Sequence, residues 1–172
     1  MEHAGATGHA AGHAVGEPTG STGPQHPQPH FRELTRSEIE TVLHRNHVGR
    51  VAFSFHDRVD IEPIHYVFEN GWLYGRTSSG TKLATIEHHR WVAFEVDEVH
   101  GIFDWRSVVV KGALYLIDAD TPEHRDFAFT RGVQLLRELV PETFTADDPT
   151  PFRRLIFRIH LDEVTGREAR SG

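Results

Sequence analysis

The run of residues after a short aromatic stretch, Trp72-Leu73-Tyr74, has the composition of a phosphate-binding turn. It reads Arg76-Thr77-Ser78-Ser79-Gly80-Thr81-Lys82, and Lys82 is one of only two lysines in the chain. Hydroxyls, backbone N–H groups and two positive charges meet here, close to the predicted start of a helix. These are the groups that bind a phosphate monoester. The run therefore predicts a cofactor that carries a phosphate.

Two alternatives compete with this interpretation. Gly75 and Gly80 have the spacing of a nucleoside-triphosphate loop, but the lysine comes one place late. In addition, Leu83 stands where a magnesium-binding Ser or Thr is required. The sequence therefore argues against a Walker site. The other alternative is a polar turn with a helix cap and no ligand, and these few residues alone leave that alternative open.

A proline lies inside the strand-like segment that precedes this run, Ile61-Glu62-Pro63-Ile64-His65-Tyr66. Proline cannot donate a hydrogen bond to a strand ladder. Pro63 therefore indicates an edge strand, a bulge or a place where the backbone faces a ligand. A planar heterocycle could lie against such a backbone. The alternative is an ordinary edge strand in which His65 has no ligand.

A third polar group, Asp104-Trp105-Arg106-Ser107, opens a long apolar strand. Its indole, guanidinium and hydroxyl can stack on and hydrogen-bond a flat ligand, although such a set also ends many ordinary loops. The sequence contains no Ser-His-Asp order, no paired carboxylates and no zinc signature. No catalytic residue is assigned, and the chemistry is expected to come from a cofactor.

Composition limits the remaining possibilities. A chain of 172 residues fits one domain with a substantial core, and the lack of Cys excludes thiol catalysis, thiolate metal ligands and disulfides. The formal net charge of -7 argues against sequence-independent nucleic-acid binding, but it is compatible with one basic pocket for a small anion. We expect a cytoplasmic protein without membrane or nucleic-acid partners.

The N-terminal region, residues 1–30, differs in composition from the rest. It is rich in Gly, Ala, His, Pro and Thr, and it has no Lys or Arg and no apolar run that could serve as a signal sequence or membrane span. We expect this tail to be disordered and residues 31–172 to form the folded domain. The spacing of the tail histidines matches no defined metal site, so no metal ligand and no chemistry is assigned to them.

Strands are the main elements that would position the three polar groups. A capping box at residues 35–38 predicts a helix that ends near Asn46, and Asn70-Gly71 is a strong hairpin signal. Strands are predicted at residues 51–55, 59–68, 72–77, 91–96, 106–117 and 155–161, with helices at 81–88 and from Thr121 to Val140. This order predicts a mainly β, antiparallel barrel with helical covers. The strand at 106–117 is apolar on nearly both faces, so it should lie centrally or in an interface.

In this order, the motifs resemble those of the pyridoxamine 5′-phosphate oxidase-like, FMN-binding split-barrel proteins, including the nitroimidazole-resistance-type branch. The resemblance covers about Phe31 to Arg167. It implies a six-stranded antiparallel split barrel and a homodimer with two FMN molecules at the interface. It also implies an oxidoreductase that transfers hydride or electrons from a reduced nicotinamide to a small unsaturated, nitro or quinoid acceptor. The alternatives are a flavin or haem carrier without turnover, and a deazaflavin-dependent reductase.

The resemblance also implies roles for individual residues. The FMN phosphate would be held by Arg76, Thr77, Ser78, Ser79 and Lys82, and the isoalloxazine edge would lie along Pro63, Ile64, His65 and Tyr66. Ser107 would contact the ring, with Trp105 and Arg106 beside it and in reach of the partner's flavin.

The C-terminal segment departs from the family pattern. True pyridoxamine-phosphate oxidases have a basic, Trp-containing substrate segment there, whereas residues 158–167 contain no tryptophan. Vitamin B6 oxidation is therefore not expected. Arg167 is the one late residue that could contact a ligand, and the alternative for it is a surface arginine after a Thr-Gly turn.

Overall fold

Eight strands and two α-helices make up most of the described chain. The computed structural model describes residues 28–55, 58–78, 89–117 and 125–172. The elements in chain order are β1 (His30–Glu33), α1 (Arg36–Arg45), β2 (Val48–Phe55), β3 (Arg58–Glu69), β4 (Trp72–Thr77), β5 (Trp91–Gly101), β6 (Asp104–Ile117), a π-helical turn (Arg125–Phe129), α2 (Thr130–Leu139), β7 (Leu155–His160) and β8 (Glu163–Arg170).

Six of the strands close into a ring. The neighbours run β6-β5-β2-β3-β4-β7, and β7 returns to pair with β6. Every pairing in the ring is antiparallel. The predicted mainly β, six-stranded antiparallel split barrel is confirmed, and each of its six predicted strands lies in this ring.

The barrel is split where β6 changes its neighbour. Residues 105–111 of β6 pair with β8, whereas residues 114–117 pair with β7 along the same edge. Gly112 lies at the change, and a Cβ atom built on it would lie 1.8 Å from the carbonyl oxygen of His160. The two backbones therefore approach so closely that only a residue without a side chain fits between them.

Two strands outside the ring were missed by the sequence patterns. β1 pairs only with β8, and β8 pairs with β6. Arg167 is exposed, as the alternative of a surface arginine had it, but the Thr-Gly turn before it is wrong, because Thr165 and Gly166 both lie within β8. A Cβ on Gly166 would lie 2.7 Å from the Ile39 side chain, so this glycine lets α1 pack against the strand.

Two apolar clusters hold the helices in place. The larger one fills the barrel and includes Phe94, Val108 and Val110, with Val42 and Leu43 of α1 packed against it. The smaller one lies outside the ring, where Leu135 and Leu136 of α2 cover Tyr74 and Ile156. α1 therefore packs on the barrel core, and α2 covers the outer side of β4 and β7.

The local turn and cap signals are also confirmed. Thr35 and Glu38 form the predicted capping box at the start of α1. Asn70 and Gly71 adopt positive φ angles of 47° and 81° between β3 and β4. The predicted helix at 81–88, the helix start at Thr121-Pro122 and most of the N-terminal tail lie outside the described residues. β1 begins at His30, one residue before the predicted domain boundary. No helix in the described ranges is long and apolar enough to cross a membrane.

Candidate functional site

The predicted phosphate turn begins at the end of β4. Gly75 pairs with Tyr66 of β3, and the two strands are antiparallel. The residues of β4 that follow Gly75 therefore extend along the residues of β3 that precede Tyr66. Thr77 is half-buried and Ser78 is exposed. The turn therefore starts beside the Pro63 segment, and two of the three predicted groups are neighbours. Ser79 and Lys82 lie outside the described residues.

Arg76 is buried in an ion pair with Asp148. Its Nη1 lies 2.5 Å from Oδ2 and its Nη2 lies 2.8 Å from Oδ1, while Nη2 also donates to the Thr150 hydroxyl at 2.6 Å. The side chains of Arg76 and Asp148 are 9% and 3% exposed. Both terminal nitrogens of this guanidinium are therefore bonded to groups of the chain itself.

Asp148 also fixes the backbone around it. Its carboxylate accepts hydrogen bonds at 2.8 Å from the N–H groups of Phe144 and Thr150. The hydrogen bonds from Arg76, followed by those from the backbone, hold the pKa of Asp148 well below its usual value. Phe144 has a φ of 60°, and its ring lies 5.3 Å from the Arg76 guanidinium. The segment between α2 and β7 is thus tied to the end of β4.

Pro63 lies where β3 has a strand on one side only. Residues 58–65 pair with β2, whereas residues 66–69 pair with β4 on the opposite edge. Over residues 58–65, the second edge of β3 has no strand partner in the described part of the chain. Of the three alternatives given for Pro63, an edge agrees with the pairing of the described residues. Pro63 and His65 are exposed, whereas Ile64 is half-buried against the barrel core.

Tyr66 differs from its neighbours because its side chain is fully buried. The ring packs edge-on against Phe94, with 4.9 Å between centroids, and the hydroxyl donates to the Leu43 carbonyl at 3.1 Å. Burial raises the pKa of the Tyr66 phenol above its usual value. Its ring belongs to the core, so a ligand along β3 would meet only backbone atoms at this position. Of the side chains of His65 and Tyr66, only that of His65 is exposed.

The third group, at the start of β6, is separated from the other two. Ser107 donates to Glu95 at 3.0 Å, and the Trp105 ring lies 6.3 Å from the ring of Phe31. β5 and β2 lie between β6 and β3 in the ring. Within the described ranges, a single chain therefore does not bring Ser107 to Pro63 or to the start of the phosphate turn at Thr77 and Ser78.

Arg106 contacts Glu168, a residue that the sequence patterns did not single out. Glu168 is only 2% exposed, and its carboxylate accepts hydrogen bonds from Nε of Arg106 at 3.0 Å and from Nε of Arg32 at 2.6 Å. Nε of Arg170 lies 3.0 Å from Oε1 of the same carboxylate. Burial raises the pKa of Glu168, but the hydrogen bonds from the arginines outweigh it and leave the pKa below its usual value. Like Asp148, Glu168 lies far along the chain from its main arginine partner, so no local pattern could reveal the pair.

Comparison with known proteins places the chain in a family. A family model described as pyridoxamine 5′-phosphate oxidase matches residues 35–168. The chain belongs to the pyridoxamine 5′-phosphate oxidase family. The matched range agrees closely with the region, about 31 to 167, over which the motifs resemble that family. Membership therefore rests on nearly the whole folded domain.

Similar proteins include one that matches by sequence and two solved structures. An uncharacterized protein of Rhizobium meliloti is 25% identical over 149 residues, which is 82% of this chain and 97% of that protein. A FAD-binding protein from Mesorhizobium loti matches with a TM-score of 0.67 and 26% identity, covering 84% of this chain and 100% of the other. The FAD-binding protein of Mycobacterium smegmatis shares the fold with a TM-score of 0.57 and 24% identity, covering 80% and 98% of the two chains.

Proposed function

We propose that this protein is a cytoplasmic, homodimeric flavoprotein that binds FMN noncovalently. Its proposed activity is an oxidoreductase reaction between a reduced nicotinamide and a small unsaturated, nitro or quinoid acceptor. The observation that carries the proposal is family membership together with the likeness to the Mesorhizobium loti protein, which is described as FAD-binding and is matched over its full length. When bound, the flavin would supply the redox chemistry, and the residues of this chain would bind and orient it.

The phosphate end of FMN fits the end of β4. The Thr77 and Ser78 side chains carry hydroxyls, and the β4 ladder ends at the pair of Thr77 with Leu155, so Ser78 is the first residue beyond it. Hydroxyls and free N–H groups at a strand end are suitable donors for a phosphate. FAD shares this phosphate and the ring with FMN, so the same turn could serve either flavin, and FAD belongs in every titration.

The ring end of FMN fits the unpaired edge of β3. Pro63 and His65 are exposed there, and the phosphate turn starts directly beside them. A heterocycle along this edge would find backbone groups that no strand uses in the described ranges. The exposed imidazole of His65 also lies at this edge.

A second copy of the chain is supported by the outer face of the sheet. Val108, Val110 and Leu114 of β6 are buried inside the barrel, but on the outer face Val109 is only half-buried and Tyr115 is 37% exposed. On the same face of β3, large apolar side chains are 65–68% exposed: Val59 and Ile61. Docking of two such faces would cover these groups and could bring Ser107 of one protomer to the flavin of the other.

The first expected result is a preference for phosphorylated flavins. Fluorescence-quenching titration of the purified protein should give a lower Kd for FMN than for riboflavin, by roughly ten- to a hundredfold, because charge-assisted bonds to the phosphate are lost with riboflavin. Equal affinities would refute the phosphate assignment. A much lower Kd for FAD than for FMN would make FAD the cofactor.

Turnover separates the enzyme from the carrier alternatives. The flavin-loaded protein should oxidise a reduced nicotinamide in the steady state when a quinone or a nitroaromatic compound is supplied. Absorbance and mass of the molecule that co-purifies would reveal haem or a deazaflavin instead. Binding of FMN without any such turnover would favour a flavin carrier.

A second expected result concerns the dimer. Light scattering should show twice the mass of one chain at micromolar concentration, and Val109→Glu should shift the protein to monomers because it places a charge in the proposed interface. Phe152→Glu is the matched control, since Phe152 is 63% exposed in the segment before β7, away from the outer face of β6. A monomeric wild type, or a dimer unaffected by Val109→Glu, would contradict the interface.

A further inference from the structure

Arg76, one of the two cations of the predicted phosphate turn, is already occupied, and the other, Lys82, lies outside the described residues. Arg76 is almost fully buried, and its terminal nitrogens are bonded to Asp148 and Thr150. Breaking these bonds to bind a phosphate would leave the Asp148 charge buried and unpaired, which is strongly unfavourable. Arg76 is therefore not free to bind a phosphate, and among the described residues a different cation must do so at this end of the barrel.

Arg154 directly precedes β7, the strand that pairs with β4, and lies opposite Ser78. Thr77 pairs with Leu155, the first residue of β7. Ser78 and Arg154 are the next residues beyond that last pair, one on each strand. Side chains alternate between the two faces of a strand, and Ser78 and Arg154 each lie two residues from the pair Arg76 and Ile156. Ser78 and Arg154 are therefore placed on the same face of the sheet as that pair. Arg154 is thus the basic residue that the pairing of β4 with β7 brings next to the turn.

The charge of Arg154 is not neutralised by any of the residues that the structure describes. Its side chain is exposed, and Nε donates to the Pro151 carbonyl at 3.3 Å, which leaves the two terminal nitrogens without an acceptor in the described part. Arg154 lines a cavity of about 460 Å³ together with Phe144, Thr145 and Asp148. Asp148 contributes no net charge there because Arg76 is paired with it. The cavity therefore keeps one positive charge.

We propose that Arg154 binds the phosphate of the flavin nucleotide, and that Arg76 acts as a positioning residue. Arg76 and Asp148 tie the segment between α2 and β7 to β4, and this segment ends in Arg154. Arg76, which the turn motif predicted as a ligand contact, would then hold the segment that ends in Arg154 in place. Arg154, from a different part of the chain, would contact the ligand. This inference rests on the proposed function, because it requires a phosphate-bearing flavin.

The experiment compares FMN and riboflavin in Arg154→Ala. The Kd for FMN should rise roughly ten- to a hundredfold, as expected for the loss of a charge-assisted bond, while the Kd for riboflavin should stay unchanged. Inorganic phosphate should compete with FMN in the wild type and much less in the variant. Arg154→Lys keeps the charge but loses the planar guanidinium fork, so its Kd for FMN should lie between those of the wild type and Arg154→Ala.

Arg153→Ala is the matched control. Arg153 is the adjacent arginine, and its guanidinium lies over the ring of Phe152 at 5.9 Å, so its removal should leave both affinities unchanged. An Arg154→Ala protein that binds FMN like the wild type, or that loses FMN and riboflavin equally, would overturn the proposal. Failure of the cofactor assignment looks different, since the wild type itself would then bind the two flavins equally.

Discussion

Gly112→Ala should destabilise the barrel more than any other single methyl addition among the glycines that the structure describes. The new Cβ would lie 1.8 Å from the His160 carbonyl oxygen and 3.0 Å from a carboxylate oxygen of Asp162. The obstacle is backbone, which cannot rotate away, so β6 and β7 must separate. We expect a loss at or above the upper end of the ~1–3 kcal/mol that overpacking usually costs, measured by urea unfolding.

Gly101→Ala is the control for this change. Gly101 ends β5, and a Cβ on it would have its nearest neighbour at 3.8 Å, an ordinary contact. Its unfolding free energy should change by less than about 1 kcal/mol. Near-wild-type stability of Gly112→Ala would show that β6 and β7 can separate at the split at little cost.

Asp148→Asn should produce the second large effect. The amide keeps the shape of the carboxylate but removes its charge, so Arg76 is left buried without a counter-ion. Removing one partner of a buried ion pair is far more costly than removing an exposed one. We expect the melting temperature to fall by on the order of 10 °C for a chain of this size.

Glu40→Gln offers the same chemical change at an exposed pair. Glu40 accepts a hydrogen bond of 2.8 Å from Nε of Arg36 on the surface of α1, and both side chains are about half exposed. Its melting temperature should change by no more than about 2 °C, because exposed pairs contribute little. Similar melting temperatures for the two variants would show that the Arg76–Asp148 pair adds little to stability.

Most of the fold could be predicted because its signals are local. The capping box at Thr35, the turn at Asn70-Gly71 and the β-branched runs each depend on residues close together in the chain. β1 and β8 lack such signals. β8 contains Gly166 and four charged residues among its eight, and its stability comes from β6, β1 and α1 instead of its own composition.

The candidate site was less predictable because its partners are distant in sequence. The chemistry of proline itself predicted an edge, a bulge or a ligand-facing backbone at Pro63, and the first of these agrees with the pairing of the described residues. The burial of Tyr66 and the pairing of Arg76 with Asp148 depend on tertiary packing. An arginine next to hydroxyls has the same local sequence whether it faces a ligand or a carboxylate. Only the pairing of β4 with β7 relates Arg154 to the turn.

The closure of the ring by β7 also determines when the barrel can form during folding. β2, β3 and β4 pair with sequence neighbours, and β5 pairs with β6 as a hairpin. β7 must insert between β4 and β6 after the intervening helix has been made. Such non-local pairings form slowly, so closure should come late. Until then β4 and the end of β6 expose free edges to other chains, which makes the interval before β7 docks the period of greatest risk of aggregation.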